Sequence, residues 1–312
     1  MAVVGYWTTT ASTGGSREDI LDLITNISPE ETPFLSRCSV SKANYVYHEW
    51  LTDALHYSAG SGDSVPEGAS AADYAVFDKT RYYNYTIITD RVFSISGTEE
   101  AITHVGIDNE YSTMLERAMK ELKIKQERLL LGGSALSAGA SDIAKTMAGA
   151  FYYGVNYGCT ASGAASTSAL TETNYNTLGQ NIFDAGGNPN TTYVNGYLKR
   201  RISAFASPNN RTITMTPDNG KLGGVIDFYI SDFGTQEIVL DRHIKGLANG
   251  ETGAGLVIDQ SKFRVAYLRR PFTNPLAVIG DRKSVQILTE YCLEALAPTQ
   301  IGFMSGFATA SV

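Results

Sequence analysis

Two segments dense in aromatic and β-branched side chains, NYVYHEWLT (44–52) and TRYYNYTIITDRVFSI (80–95), are separated by about 25 residues rich in Gly, Ala, Ser and Asp. Such composition suits a pleated surface, so two strand regions are predicted, joined by an insert longer than most loops in compact domains. A two-stranded ribbon is marginal in water by itself. A hairpin of this kind therefore has to bury its rings on its own body or against a neighbour. Tyr45, Tyr47, Trp50, Tyr82, Tyr83 and Tyr85 supply more aromatic surface than two strands can cover, which points to a contact between subunits.

The period changes after the ribbon. From Asp108 to Leu131, Tyr111, Met114, Leu115, Ala118, Leu122 and Leu129 fall on one stripe at helical spacing. Glu116–Lys120, Glu121–Lys125 and Lys123–Glu127 stand at i, i+4 as charge pairs, and Gly132-Gly133 supplies the stop. This is the longest helix the pattern predicts. Before the ribbon, Ser16 followed by Arg17-Glu18-Asp19 is an N-cap signature for a short helix in an otherwise extended arm, ending near Ser28-Pro29.

Beyond residue 134 the signals alternate. TMAGAFYYG reads as a strand or loop. Thr173–Ala185 reads as a helix with Leu178, Ile182 and Phe183 inward, TTYV as a short strand, and Gly196–Phe205 as a second helix with Lys199, Arg200 and Arg201 outward. VIDFYIS and QEIVLDR follow as strands. From Lys262 onward, KFRVAYLRRPF and LAVIGDRKSVQILTEYCLEAL carry period-two alternation for two or three more. An α+β chain with a mixed α/β unit over about 145–255 is the economical account.

With 312 residues, 43% hydrophobic and 18% charged, the chain can bury a substantial core, which excludes disorder throughout. A formal net charge of −7 lacks the basic footprint of a primary DNA binder. Cys38, Cys159 and Cys292 cannot all pair within one chain and show no CxxC spacing, which fits a reducing compartment. No basic, apolar leader opens the sequence, and no uncharged apolar run reaches 18 residues.

Patterns for chemistry are missing where an enzyme would show them: no G-x-S-x-G, no phosphate loop, no H-E-x-x-H. No catalytic, cofactor or metal residues are expected. His48-Glu49 lies in an alternating strand without a second histidine four residues on. Glu99-Glu100 reads as the first turn of a helix, where the dipole favours acids, rather than as a carboxylate pair. Asp218-Asn219-Gly220 reads as a tight turn. The Gly-rich tract GLANGETGAGL (246–256) follows a basic segment and lacks a trailing Lys or Ser/Thr, so a loop is expected there. A soluble enzyme with a substrate loop at 246–256 is the alternative from a different class.

The stretches SREDILDLITNISPEETPFLS (16–36), HEWLTDAL (48–55), YTIITDRVFSISGTEEAI (85–102) and ERAMKELKIKQERLLLGG (116–133) closely resemble major head proteins of tailed bacteriophages, whose fold is that of the phage Hong Kong 97 capsid subunit. The resemblance implies an N-terminal arm (1–42) and an extended loop (43–92). It further implies a peripheral domain (93–144) with a spine helix at 106–132, an axial domain (145–255) and peripheral C-terminal strands (256–312). It implies hexamers and pentamers of this chain in an icosahedral shell around double-stranded DNA, with contacts to DNA only weak and non-specific. The expected localisation is the virion, assembled in the host bacterial cytoplasm. Scaffold, portal and decoration proteins are the other partners it suggests; no cofactor and no membrane are implied. The candidate interface residues are Tyr45, Tyr47, Trp50, Arg81, Tyr83 and Tyr85. Within the same fold, an encapsulin-like compartment shell is the alternative. Lys79 lies in the loop without a motif for a covalent cross-link.

Overall fold

A computed structural model describes residues 31–53, 67–68, 70, 79–102, 109–162, 169–205, 228–244 and 254–307. The helix expected after Ser16, most of the ribbon's insert, the turn at 218–220 and most of the Gly-rich tract lie outside the described residues. In chain order the elements begin with α1 (Pro33–Arg37), β1 (Ser39–Lys42), β2 (Tyr47–Thr52), β3 (Thr80–Tyr85), β4 (Ile87–Ser96), α2 (Gly97–Ala101) and α3 (Glu110–Leu131). They continue with α4 (Ala150–Asn156), β5 (Cys159–Ser162), α5 (Glu172–Asp184), β6 (Thr191–Val194) and α6 (Gly196–Phe205). The remainder are β7 (Phe228–Ser231), β8 (Gly234–Leu240), β9 (Gly255–Ile258), β10 (Phe263–Pro275), β11 (Arg282–Ala295) and β12 (Gly302–Ser305).

The strands form three sheets. A four-stranded sheet runs β1-β10-β11-β4, a six-stranded mixed sheet runs β5-β12-β9-β6-β8-β7, and β2-β3 stand as a two-stranded ribbon. Helix α3 lies along the four-stranded sheet because its inward stripe matches one face of the pleat. Ala118, Leu122 and Ile287 bury together, with Leu115 and Phe93 packed on them. Asn109 caps the helix through Oδ1, which accepts the Ser112 N–H at 3.3 Å, and Gly132 stops it. Ser96 caps α2 by accepting the Glu99 N–H, so Glu99 and Glu100 do fill a first turn.

The six-stranded sheet carries α5 and α6, which bury Leu178, Ile182, Leu198 and Ile202 against Val194, Val257 and Met304. Both helices were legible from their periodicity, with two side chains placed differently. Phe183 is exposed and packs on Phe233, with ring centroids 5.8 Å apart, because one residue past Ile182 turns it some 100° off the buried stripe. Lys199 folds back so that Nζ donates to the Ile238 carbonyl at 3.2 Å.

Three further expectations are corrected. TMAGAFYYG is bridge and loop only over 146–149: Ala150–Asn156 is helical, and its small residues let it press against neighbouring backbone. A Cβ on Gly149 would overlap the Gly132 carbonyl, so the end of α3 and the start of α4 meet backbone to backbone. The charge pairs on α3 hold only in part. Lys120 and Glu116 pair at 2.9 Å, but Glu121 reaches Arg91 on β4, and Glu127 turns inward and is fully buried. Last, the two large sheets do not divide at residue 256. The β9 and β12 strands belong to the six-stranded sheet, since β12 pairs parallel with β5 and antiparallel with β9.

Candidate subunit interface

Register decides what the ribbon can offer. Tyr47 pairs with Tyr85, Glu49 with Tyr83 and Leu51 with Arg81, whereas His48 pairs with Asn84 and Trp50 with Tyr82. Facing residues in an antiparallel pair share a side, so the first set forms one face and the second the other.

The inner face is bound to the body. Trp50 is buried, 6.2 Å from the Tyr153 ring, and Tyr82 stands edge-on to Tyr157 at 5.4 Å. Asn84 is fully buried and bridges three segments. Its Nδ2 donates to the Ala148 and Leu293 carbonyls at 2.9 and 2.8 Å, and its Oδ1 accepts the N–H groups of Ala148 and Tyr85, both at 2.9 Å. His48 Nε2 lies 3.8 Å from Glu294 on β11, whose carboxyl is held low first by the histidine and also by the Ser41 hydroxyl. Trp50 therefore does not belong with the exposed candidates: its ring completes the chain's own core.

The outer face keeps the other five. Tyr47, Tyr83 and Tyr85 form a cluster with centroids 4.8, 5.3 and 6.1 Å apart, flanked by Tyr45, which is 72% exposed. Arg81 lies 3.5 Å from Glu49 on this side. A cluster of rings edged by charges, with nothing of its own chain over it among the described residues, has the composition of a protein contact.

A second apolar surface was not foreseen. On the side of the four-stranded sheet away from α3, Phe272 pairs with Leu288, which pairs with Asp90, and Ile88 and Val92 flank that row on β4. Phe272, Ile88 and Val92 are 43%, 58% and 50% exposed, an uncommon concentration for one sheet face. Around them the polar groups are satisfied: Arg269 pairs with Glu290 at 2.8 Å and Gln286 donates to Asp90 at 2.8 Å. The doublet Ile87-Ile88 was the available sign, since both faces of a strand cannot be apolar unless both are covered.

Among the described residues no cluster of three His, Cys, Asp or Glu side chains could hold a metal ion, and no helix is long and apolar enough to cross a membrane. Burial pushes the thiols of Cys38 and Cys292 up to about 12, which keeps them protonated and unreactive at neutral pH.

A long helix laid along a mixed four-stranded sheet, a two-stranded aromatic ribbon and a six-stranded mixed sheet carrying its own helices make up the arrangement of the Hong Kong 97-like capsid fold. Solved structures agree. A chain from Gordonia phage Cozz superposes with a TM-score of 0.62 at 13% identity, covering 95% of this chain and 92% of that one. A chain from Mycobacterium phage Adephagia gives 0.64 at 11% identity over 98% and 100%, and the capsid of a native GTA particle gives 0.67 at 10% identity over 98% and 100%. The family model of the SU10 major capsid protein matches residues 7–308, and the chain belongs to that family. The major capsid protein of Escherichia phage Phieco32 is 31% identical over 121 residues, which are 39% of this chain and 34% of that relative, so the match spans about a third of the relative's length.

Proposed function

We propose that this chain is the repeating, non-enzymatic subunit of an icosahedral head that encloses the double-stranded DNA of a tailed phage. The observation that carries the proposal is the pairing of two surfaces that the described residues leave uncovered: the outer tyrosine face of the ribbon and the apolar strip of Phe272, Ile88 and Val92. Each is too apolar to be left wet, and a ribbon reaching from one subunit onto the sheet of the next covers both. In this reading residues 1–42 are the arm, which lends β1 to the four-stranded sheet, and 43–92 are the extended loop, whose end runs into β4 of the same sheet. The four-stranded sheet with α3 is the peripheral unit, and the six-stranded sheet is the axial unit that meets its copies around fivefold and sixfold axes. Repetition of the −7 net charge keeps the packaged genome from adhering. Assembly takes place in the host bacterial cytoplasm, with scaffold, portal and decoration proteins as the additional partners.

The test is to express the chain and examine it by gradient sedimentation and electron microscopy. Closed particles, alone or with a scaffold protein supplied, are the expected result. A small species that stays soluble at high concentration with and without scaffold overturns the proposal. Nuclease-protected DNA inside particles from infected cells distinguishes a genome container from a cargo compartment.

A further inference from the structure

Buried where the arm, the spine helix and the six-stranded sheet meet is a pair of acids that the shell contacts do not use. Glu127 on α3 is 0% exposed and Asp241, just past β8, is 1% exposed. Both oxygens of Glu127 are occupied: Oε1 accepts the Phe34 N–H at 2.8 Å and Oε2 the Leu35 N–H at 2.7 Å. It thereby caps α1, whose own N-cap residue Thr32 contributes no side-chain bond. Asp241 Oδ1 accepts the His243 N–H at 2.7 Å, while its Oδ2 is buried without a donor. The two carboxyl groups are close enough that each shifts the other's protonation.

Two carboxylates cannot hydrogen-bond, since neither has a proton to give, and a buried oxygen without a donor is costly. One proton between them resolves both difficulties. The proton lies between Glu127 and Asp241 Oδ2: the two N–H groups favour charge on Glu127, while burial and the neighbouring Asp241 carboxyl oppose it. We propose that Glu127 and Asp241 share a single proton that couples the six-stranded sheet to the spine helix and arm, and that alkaline pH releases this coupling.

Other charged groups surround the pair, beginning with the ion pair of Arg37 on α1 and Glu237 on β8 at 2.7 Å. From α3, Arg128 Nε donates to His243 Nδ1 at 3.4 Å, which leaves His243 Nε2–H to donate to the Glu31 carbonyl at 3.1 Å. From the arm, the Glu31 carboxylate sits 3.7 Å from Arg242, and it disfavours charge on Asp241. Cys38 and, from β6, Tyr193 face Glu127 as neutral groups whose own ionisation burial opposes. On Asp241 the charge influence of His243 acts downward and that of Glu31 upward, and both are smaller than burial. Burial is accordingly the largest influence on both acids, raising Asp241 and pushing Glu127 up to about 8 against the pull of its two amides. The pair titrates as a unit.

The sign follows from linkage. Because the junction holds its proton more tightly when closed than when open, the coupling is fully present at low pH. It weakens as pH rises from the ordinary carboxylate range and is exhausted above about 8. Asp241→Asn mimics the protonated acid: its amide donates to Glu127 at any pH.

Amide hydrogen exchange of the full chain is compared between wild type and Asp241→Asn, on peptides covering 31–37 and 241–244, across a pH range spanning about 8. The ratio of wild-type to variant exchange rate cancels the intrinsic base catalysis of exchange. It is expected to rise about tenfold per pH unit up to that point and then level off. A ratio independent of pH overturns the proposal. Should Asp241→Asn fail to fold, infrared spectroscopy of the wild-type protein decides. A carbonyl band of a protonated carboxylic acid at neutral pH that disappears above about 8 supports the shared proton, and its absence refutes it.

Discussion

Asn84 shows what one side chain can hold together. It is fully buried and forms four hydrogen bonds to backbone groups of its own strand, the 148 segment and β11. Removing it takes the partner from two N–H groups and two carbonyls, those of Ala148 and Leu293 being buried, and orphaned buried groups cost about 1–3 kcal/mol each before relaxation. Asn84→Ala is therefore expected to lower stability by about 3 kcal/mol or more, read as a lower midpoint in urea without a change in slope. A loss within experimental error would show that the ribbon base is held by its rings alone. At this scale the sequence is silent: in TRYYNY no local feature marks the asparagine as a core residue. Alternation put it on the same side as Tyr82 and Trp50, but nothing local says which side faces the core.

Elements were more readable than residues, and the reason lies in period. The spine helix was visible over 108–131 because its stripe is long, and the structure places it at Glu110–Leu131. Ala118 sits in the middle of its buried face beside Leu122 and Ile287. Proline there removes a hydrogen bond, clashes with the preceding turn and cannot be accommodated against the sheet, a cost of about 3 kcal/mol or more. Ala118→Pro is expected to lose helical circular dichroism and soluble yield, and an unchanged melting curve would contradict the packing described. Where an element is short the local signal fails. The tract around Phe151 to Tyr153 has strand composition, yet Gly149 and Gly154 allow a helical turn to approach the Gly132 backbone and Phe303 more closely than any strand could. Small residues permit that contact, and only the neighbours they meet make it favourable.

For the whole molecule, the division of the ribbon's aromatic surface matters most. Trp50 and Tyr82 face the subunit's own core, while Tyr47, Tyr83 and Tyr85 face away from it. Replacing Tyr47 and Tyr83 together by Ala is expected to leave thermal unfolding within a few degrees of wild type while particle yield collapses on a gradient. Normal particles from that variant would remove the ribbon from the contact. The candidates Tyr45, Tyr47, Arg81, Tyr83 and Tyr85 could be picked from sequence because aromatic excess on a two-stranded ribbon is a property of composition. The apolar strip of Ile88, Val92 and Phe272 could not, since it is assembled from two strands that lie more than 170 residues apart in the chain.

Order of elements, helix periods and the presence of an aromatic ribbon were set by local patterns, because backbone propensity and side-chain alternation act over a few residues at a time. Which face of each element is inside was decided by tertiary structure. So were the return of β12 to the six-stranded sheet and the meeting of Glu127 with Asp241, 114 positions apart. Those outcomes depend on desolvation and on closing long loops, and neither quantity exists until distant segments are in contact.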